Sequence, residues 1–331
     1  MPRAIFALVI GAGILFPIPA NAAPNLIEVQ GRVRDLQEQA TEAAEGAQEA
    51  KVQLAKLKKT LDTVQQQASQ QGASVTALNK TIGAIANERY KSGPLSQSLE
   101  LLFSTDPGLY LSAAGSLEAV TRQKTADLKK FSVATQRLTA TSLTVADKLA
   151  MVKAAEAKFT RQLALANSKL KEAEELLAKL TAAERERLAK LNNDQEDADQ
   201  QKSLSDAGKY SGVSGRGGIA IKYALAQIGD RYVFGAAGMT TWDCSGLTMR
   251  AFKTAGVSLP HSSAAQSRLG KKVSLNALKP GDLLFYGRPV SHVSIYLGGG
   301  KMVHAPRSGS RVKVAPSGSL GRKPLVGARR F

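Results

Sequence analysis

The chain has 331 residues, a formal net charge of +18, one Cys, one Trp and three His. That length accommodates two or three ordinary domains, one Cys excludes a disulfide framework or a multi-Cys metal site, and three His leave little material for a His cage. No apolar run reaches the roughly 18–20 residues of a mature membrane span. Residues 1–211 hold 27 basic and 24 acidic side chains, whereas 212–331 hold 18 against 3, with Asp230, Asp243 and Asp282 the only acids. A near-neutral half is thus joined to a half of net +15, and such a basic domain points to an anionic partner: nucleic acid, a membrane surface or a cell-wall polymer.

Residues 1–22 read as a secretory signal. Arg3 supplies the positive start, Ala4–Phe16 is an apolar stretch of the right length, and Ala20-Asn21-Ala22 is an A-x-A cleavage pattern. No Cys lies near it, which argues against a lipid anchor. Export makes nucleic acid a poor partner, so the basic half points to envelope polymers.

Residues 23–191 read as a coiled coil. Leu26, Val29, Val33, Leu36, Ala40, Ala43, Ala47, Ala50, Leu54, Leu57, Leu61, Val64, Ala68, Gln71, Val75, Leu78, Ile82 and Ile85 alternate spacings of three and four, an a/d seam of more than eight heptads. The Ala-rich stretch Ala40–Ala50 should let a partner helix approach closely. A second seam runs from Phe131 to Leu180, broken at Thr135, Ser142 and Glu156. Between the seams lie an apolar patch at Leu99–Phe103, a turn signal at Asp106-Pro107-Gly108 and further apolar residues to Val120. The economical arrangement is an antiparallel hairpin with a small lobe at its tip, which either caps the hairpin or docks a partner. A coiled-coil dimer is the alternative to a monomeric hairpin. Residues 192–216, polar and without apolar periodicity, read as a linker.

Residues 217–331 change character: short helices at Ile219–Ile228, Leu247–Thr254 and His261–Leu269, then β-branched runs at Asp282–Tyr286, His292–Leu297, Lys301–His304 and Val312–Val314. Helices followed by an antiparallel meander give an α+β domain. Asp243 is a suitable N-cap for a helix whose first turn holds Cys244, where the helix N-terminus favours thiolate. A free thiol is otherwise often just buried. Two strands joined by a glycine turn place His292 and His304 side by side on one sheet face. His292 is then positioned to accept the thiol proton, with His304 orienting its ring.

At this point the residues resemble a known family. Arg231-Tyr232-Val233-Phe234-Gly235, Asp243-Cys244-Ser245-Gly246-Leu247, Leu259-Pro260-His261-Ser262-Ser263, Pro280-Gly281-Asp282-Leu283, Ser291-His292-Val293 and Gly300-Lys301-Met302-Val303-His304-Ala305 follow the order of the NlpC-type, papain-like cell-wall endopeptidases. The preceding coiled coil resembles the Rip-type peptidoglycan hydrolases of mycolic-acid bacteria. The resemblance implies Cys244 as nucleophile, His292 as general base and His304 as orienting group. It implies that Tyr232, Asp243 and Ser245 help hold substrate or oxyanion, with Ser263 a further contact. Phe234 departs from a frequent Trp, and His261 from a frequent Arg.

The implied reaction is hydrolysis of the γ-D-glutamyl–diamino-acid (meso-diaminopimelate) bond of peptidoglycan stem peptides, with no metal and no organic cofactor, by a secreted or periplasmic, wall-associated enzyme of cell division. Implied partners are peptidoglycan and, through the coiled coil, a membrane activator of the FtsE–FtsX type. The hairpin is expected to shield the cleft until a partner relieves it. Competing readings are a non-hydrolytic wall-binding scaffold and a papain-fold amidase or acyltransferase. The basic half has no nucleic-acid reader motif.

Overall fold

The structure, a computed structural model, describes residues 25–92, 107–210 and 212–331. The expected signal at 1–22 and the apolar patch at Leu99–Phe103 lie outside these residues. The first seam becomes one helix, α1 (Leu26–Ser92), and the second becomes α2 (Pro107–Ala178). At 1.5 Å per residue each is about 100 Å long. They run antiparallel: Val29 and Val33 cluster with Ala173 and Leu180, Ala43 and Ala44 with Ala166, and the Lys58 ammonium lies 2.9 Å from the Glu156 carboxylate. Leu109–Val120, expected as part of a separate lobe, instead continues α2. Pro107 opens that helix, where its fixed φ fits and its missing N–H costs nothing.

The expected linker is also corrected. Residues 192–207 belong to a third helix, α3 (Ala182–Ala207), started by a capping box in which Thr181 and Glu184 exchange hydrogen bonds. Its polar composition does not mark flexibility. Glu196, Asp199 and Ser203 recur every three or four residues and form one face, which meets the edge of a sheet. Ser203 Oγ accepts from Val314 N at 3.0 Å, Glu196 accepts from Ser310 Oγ and Arg311 N, and Lys313 reaches both Glu196 and Asp199. Donors on an exposed strand edge are thereby satisfied. Leu188 anchors the other side of α3 among Val29, Val33, Ala173 and Leu180.

The C-terminal domain is α+β, as expected. α4 (Gly215–Leu225) and α5 (Cys244–Thr254) pack on an antiparallel sheet with α6 (Ser263–Gln266) alongside, and β1 (Arg231–Tyr232) and β2 (Thr241–Trp242) form a small parallel pair. In the large sheet, β3 (Lys271–Val273), β4 (Leu283–Tyr286), β5 (His292–Gly298), β6 (Lys301–His304), β7 (Lys313–Pro316), β8 (Ser319–Leu320) and β9 (Lys323–Arg330) are ordered β3-β9-β4-β5-β6-β7, with β8 on β9. The meander β4–β7 matches the sequence pattern. The insertion of the C-terminal strand between β3 and β4 does not. The core gathers Trp242, Leu247, Phe252, Leu283, Ile295 and Leu297 under α4 and α5.

Around residues 40–50, α1 is enclosed on two sides. Ala43, Ala47 and Ala50 of the heptad seam are buried, Ala43 beside Ala166 of α2, while Thr41, Glu45, Gln48 and Glu49 are buried toward the C-terminal domain. Small side chains let one helix pass between two bodies. Replacing Leu188 with Ala should destabilise the chain by about 2–5 kcal/mol, the cost of an unfilled cavity. Thermal and urea unfolding of the purified protein check this.

Candidate functional site

Cys244 is the first residue of α5, and its position is set by Asp243. The Asp243 carboxylate caps the helix by accepting from Gly246 N at 2.6 Å, and it also accepts from Gly235 N at 2.9 Å and from His261 Nε2 at 2.7 Å. Gly246 is required by space: an added Cβ would lie 2.3 Å from the backbone oxygen of Ala236. Asp243 is fully buried with both oxygens engaged. The expectation that it holds substrate is therefore corrected: it positions the helix that carries the thiol. Burial alone would lower the His261 pKa, but the bond and charge of Asp243 outweigh it and raise it.

His292 and His304 meet as the strand pairing requires. β5 and β6 pair Ile295 with Val303, which puts both imidazoles on one face, and His292 Nε2 lies 3.0 Å from His304 Nδ1. The Nδ1 of His292 is then the nitrogen left for a thiol. Val293, the next residue, offers its backbone N–H to Cys244. No hydrogen bond joins Cys244 to His292 in this structure.

The thiol is engaged elsewhere. Cys244 Sγ lies 3.1 Å from Glu45 Oε1 of α1, and Ser245 Oγ donates to the same oxygen at 2.8 Å. The other oxygen accepts from Ser263 N at 3.0 Å and Ser263 Oγ at 2.7 Å. One turn on, Glu49 accepts from Ser262 Oγ and Arg268. Three of the expected site residues, Cys244, Ser245 and Ser263, thus converge on one carboxylate. Tyr232 is also buried there, with a hydroxyl that has no hydrogen-bond partner of good geometry and feels the charges of Cys244, Asp243 and Glu45. Phe234 packs against Ala43 and Ala44 of α1, so the residue that departs from the frequent Trp forms part of the seat for the hairpin.

The electrostatics disfavour an ion pair. Burial, then the Glu45 and Asp243 charges, push the Cys244 thiol well above its ordinary range. Burial, with His304 and Lys323 adding, pushes His292 well below its own. His304 is pushed down to about 3 by burial, Lys313 and Arg307. Neutral thiol and neutral imidazole are favoured, the opposite of an activated nucleophile. Glu45 is itself raised, by burial and by Asp243, against the lowering bonds from Ser263 and Cys244.

Sequence reasoning singles out Cys244, Ser245 and Ser263, which the structure brings together on one carboxylate, and His292 and His304, which it brings together on the sheet, but not Glu45, which reads as an ordinary charged position beside an Ala-rich seam. The available signal is the polar series Thr41, Glu45, Gln48 and Glu49 at helical spacing on the face away from that seam. Among the described residues no group of three or more His, Cys, Asp and Glu could hold a metal, and no helix is long and apolar enough to cross a membrane.

His261 gives a pH test. Its folded-state pKa is raised, so its pairing with Asp243 contributes stability fully below about pH 6.5, the ordinary His value, and loses it as pH rises through the raised value. The stability difference between the unmodified chain and His261→Gln should be largest at pH 6 and below and shrink toward pH 9, as measured by urea unfolding across that range.

The C-terminal part of the chain is similar to known proteins. The profile of the NlpC/P60 family matches residues 229–330. The probable endopeptidase Rv2190c of Mycobacterium tuberculosis is 43% identical over 120 residues, which is 36% of this chain and 31% of that protein. The peptidoglycan endopeptidase RipA of the same organism is 39% identical over 120 residues, 32% of this chain and 25% of that protein. The chain therefore spans less than a third of the length of these relatives. The crystal structure of the P60 domain of Mycobacterium avium subspecies paratuberculosis antigen MAP1204 is similar at 32% identity and a TM-score of 0.32, over 34% of this chain and 93% of that one. The C-terminal domain is an NlpC/P60 domain.

Proposed function

We propose that this chain, whose C-terminal part is an NlpC/P60 domain, is a secreted cysteine endopeptidase of peptidoglycan. It cuts the γ-D-glutamyl–diamino-acid bond of stem peptides and is held inactive by its own hairpin. The observation that carries this reading is the Glu45 carboxylate against the Cys244 thiol. Hydrolysis of a γ-glutamyl amide releases a glutamate side-chain carboxylate. Glu45 presents that same group, 3.1 Å from the sulfur and hydrogen-bonded to Ser245 and Ser263. A site that accommodates a glutamyl carboxylate there suits a γ-glutamyl acyl group.

The chemistry follows once α1 withdraws. Loss of burial and of the Glu45 charge lowers the thiol pKa, and solvent access raises that of His292. Cys244 transfers its proton to His292 Nδ1 while His304 fixes the ring through Nε2. The thiolate attacks the amide carbon, and His292 passes the proton to the departing amine. Water then hydrolyses the thioester and restores the thiol. Ser245 Oγ and the Ser263 N–H and hydroxyl, freed from Glu45, are donors for the acyl half. Export rests on the signal pattern at 1–22. A role in cell separation and an activator of the FtsE–FtsX type acting on the hairpin rest on the resemblance to Rip-type hydrolases.

The test is mass spectrometry of a stem tetrapeptide containing meso-diaminopimelate, incubated with the full chain and with its Glu45→Ala and Glu45→Ala/Glu49→Ala variants. The expected product is L-Ala-γ-D-Glu, formed at least tenfold faster by the double variant than by the unmodified chain and not at all when Cys244→Ala is added. Cleavage at another bond, or cleavage without Cys244, would overturn the assignment.

A further inference from the structure

A cavity of about 810 Å³ lies between the base of the hairpin, α3 and the sheet. Both histidines of the site line it, and Cys244 does not. Its walls carry Arg307, Lys313 and Lys323 from the C-terminal domain, Arg34 and Glu38 from α1, and Glu196 and Asp199 from α3, the last two paired with Lys313. Arg307 has a fully buried Nε without a hydrogen-bond partner, and it forms no ion pair among the described residues. The Lys323 side chain is only 8% exposed, and its single carboxylate partner, Glu42 of α1, stands 3.5 Å away. The Arg307 charge feels the carboxylates of Glu38 on α1 and Glu196 on α3, but neither bonds it, so the buried Nε is a donor left over for an anion that enters the cavity. A planar guanidinium matches a carboxylate in two parallel bonds.

The position of this cavity identifies which anion. A general acid must stand beside the leaving group, because it delivers the proton there. With His292 in that role, the diamino-acid half of the substrate leaves on the histidine side of the thiol, and the cavity opens on that side. Arg307 lies close enough to act on His304 electrostatically, and Lys323 on His292. When α1 withdraws, Arg34, Glu38 and Glu42 go with it, while Arg307 and Lys323 remain and Glu196 stays paired with Lys313.

We propose that Arg307 and Lys323 form the carboxylate-binding subsite for the leaving half of the substrate, and that they select a diamino acid with a free second carboxylate over an amidated one or one that lacks it. This rests on the endopeptidase reading for its substrate, but the cation pair and the cavity stand apart from it. Hydrolysis itself is unchanged: the subsite only binds and orients.

Calorimetric titration of the full chain, with and without Glu45→Ala, against meso-diaminopimelate, its diamide and L-lysine tests it. Saturable binding of the diacid is expected, at least tenfold tighter than the diamide or lysine. Arg307→Gln should weaken it at least tenfold, Arg307→Lys should restore part of it, and Arg250→Gln, remote from the cavity, should leave it unchanged. Thermal unfolding of each variant confirms that the fold is retained. Equal affinity for diacid and diamide, undiminished binding by folded Arg307→Gln, or no binding of the diacid to either chain would overturn the subsite. Cleavage of the stem tetrapeptide is followed in parallel. Binding without cleavage would leave the subsite and remove the endopeptidase reading. Cleavage by Arg307→Gln with unchanged KM for free and amidated peptides would leave the endopeptidase and remove the subsite.

Discussion

The arrangement of this chain turns on one carboxylate, Glu45, placed in the hydrogen-bonding sphere of the only thiol. It stands within reach of a second buried carboxylate, Asp243, and both that charge and the burial push its pKa up. Four hydrogen-bonding groups, the Cys244 thiol, the Ser245 hydroxyl and the Ser263 amide and hydroxyl, offset this cost. The contact is thus well satisfied but electrostatically loaded. Because docking raises the Glu45 pKa, the docked state is favoured at low pH and loses that contribution as pH rises through the raised value.

The rest of the fold serves that placement. An Ala-rich helix is thin enough to lie between α2 and the C-terminal domain, and its outward face is acidic where the domain is basic. Asp35 meets Arg322, Glu42 meets Lys323 and Glu49 meets Arg268, while α3 brings Glu196 and Asp199 to Lys313. The exposed pairs contribute little singly. Together they occupy cations of the basic domain, so the chain meets internally part of the charge that domain would otherwise present to an anionic partner. The same helix supplies steric cover, the thiol's partner and the counter-charge.

How much of this was legible in the sequence follows from which forces are local. The heptad seams gave α1 and α2 because a 3.5-residue repeat has few other solutions. Asp243 capping the helix of Cys244, and two histidines meeting on strands joined by a glycine turn, were legible because capping and strand alternation act over a few residues. α3 was missed since its stabilising face is polar and its partners lie more than a hundred residues away on β7. β9 was missed because Pro324 and Gly327 weaken its strand signature, and its place between β3 and β4 is set by tertiary pairing. The polar series around Glu45 marks a face of α1 but not what that face meets, because a Glu on a helix surface looks the same whether it faces water or a thiol. Only the docking of the hairpin distinguishes them.

Ultraviolet titration of the thiolate tests that docking most directly, since Cys244 is the only cysteine. Absorbance near 240 nm is followed from pH 5 to 11 in the full chain and in Glu45→Ala, each as the difference from the matching protein with Cys244→Ala, which cancels the ionisation of the seven Tyr. The midpoint should lie above the ordinary thiol range in the full chain and fall in the variant, because the Glu45 charge and the bond to it are gone. Identical midpoints in two folded proteins would contradict it, because the carboxylate of α1 would then not be acting on the thiol.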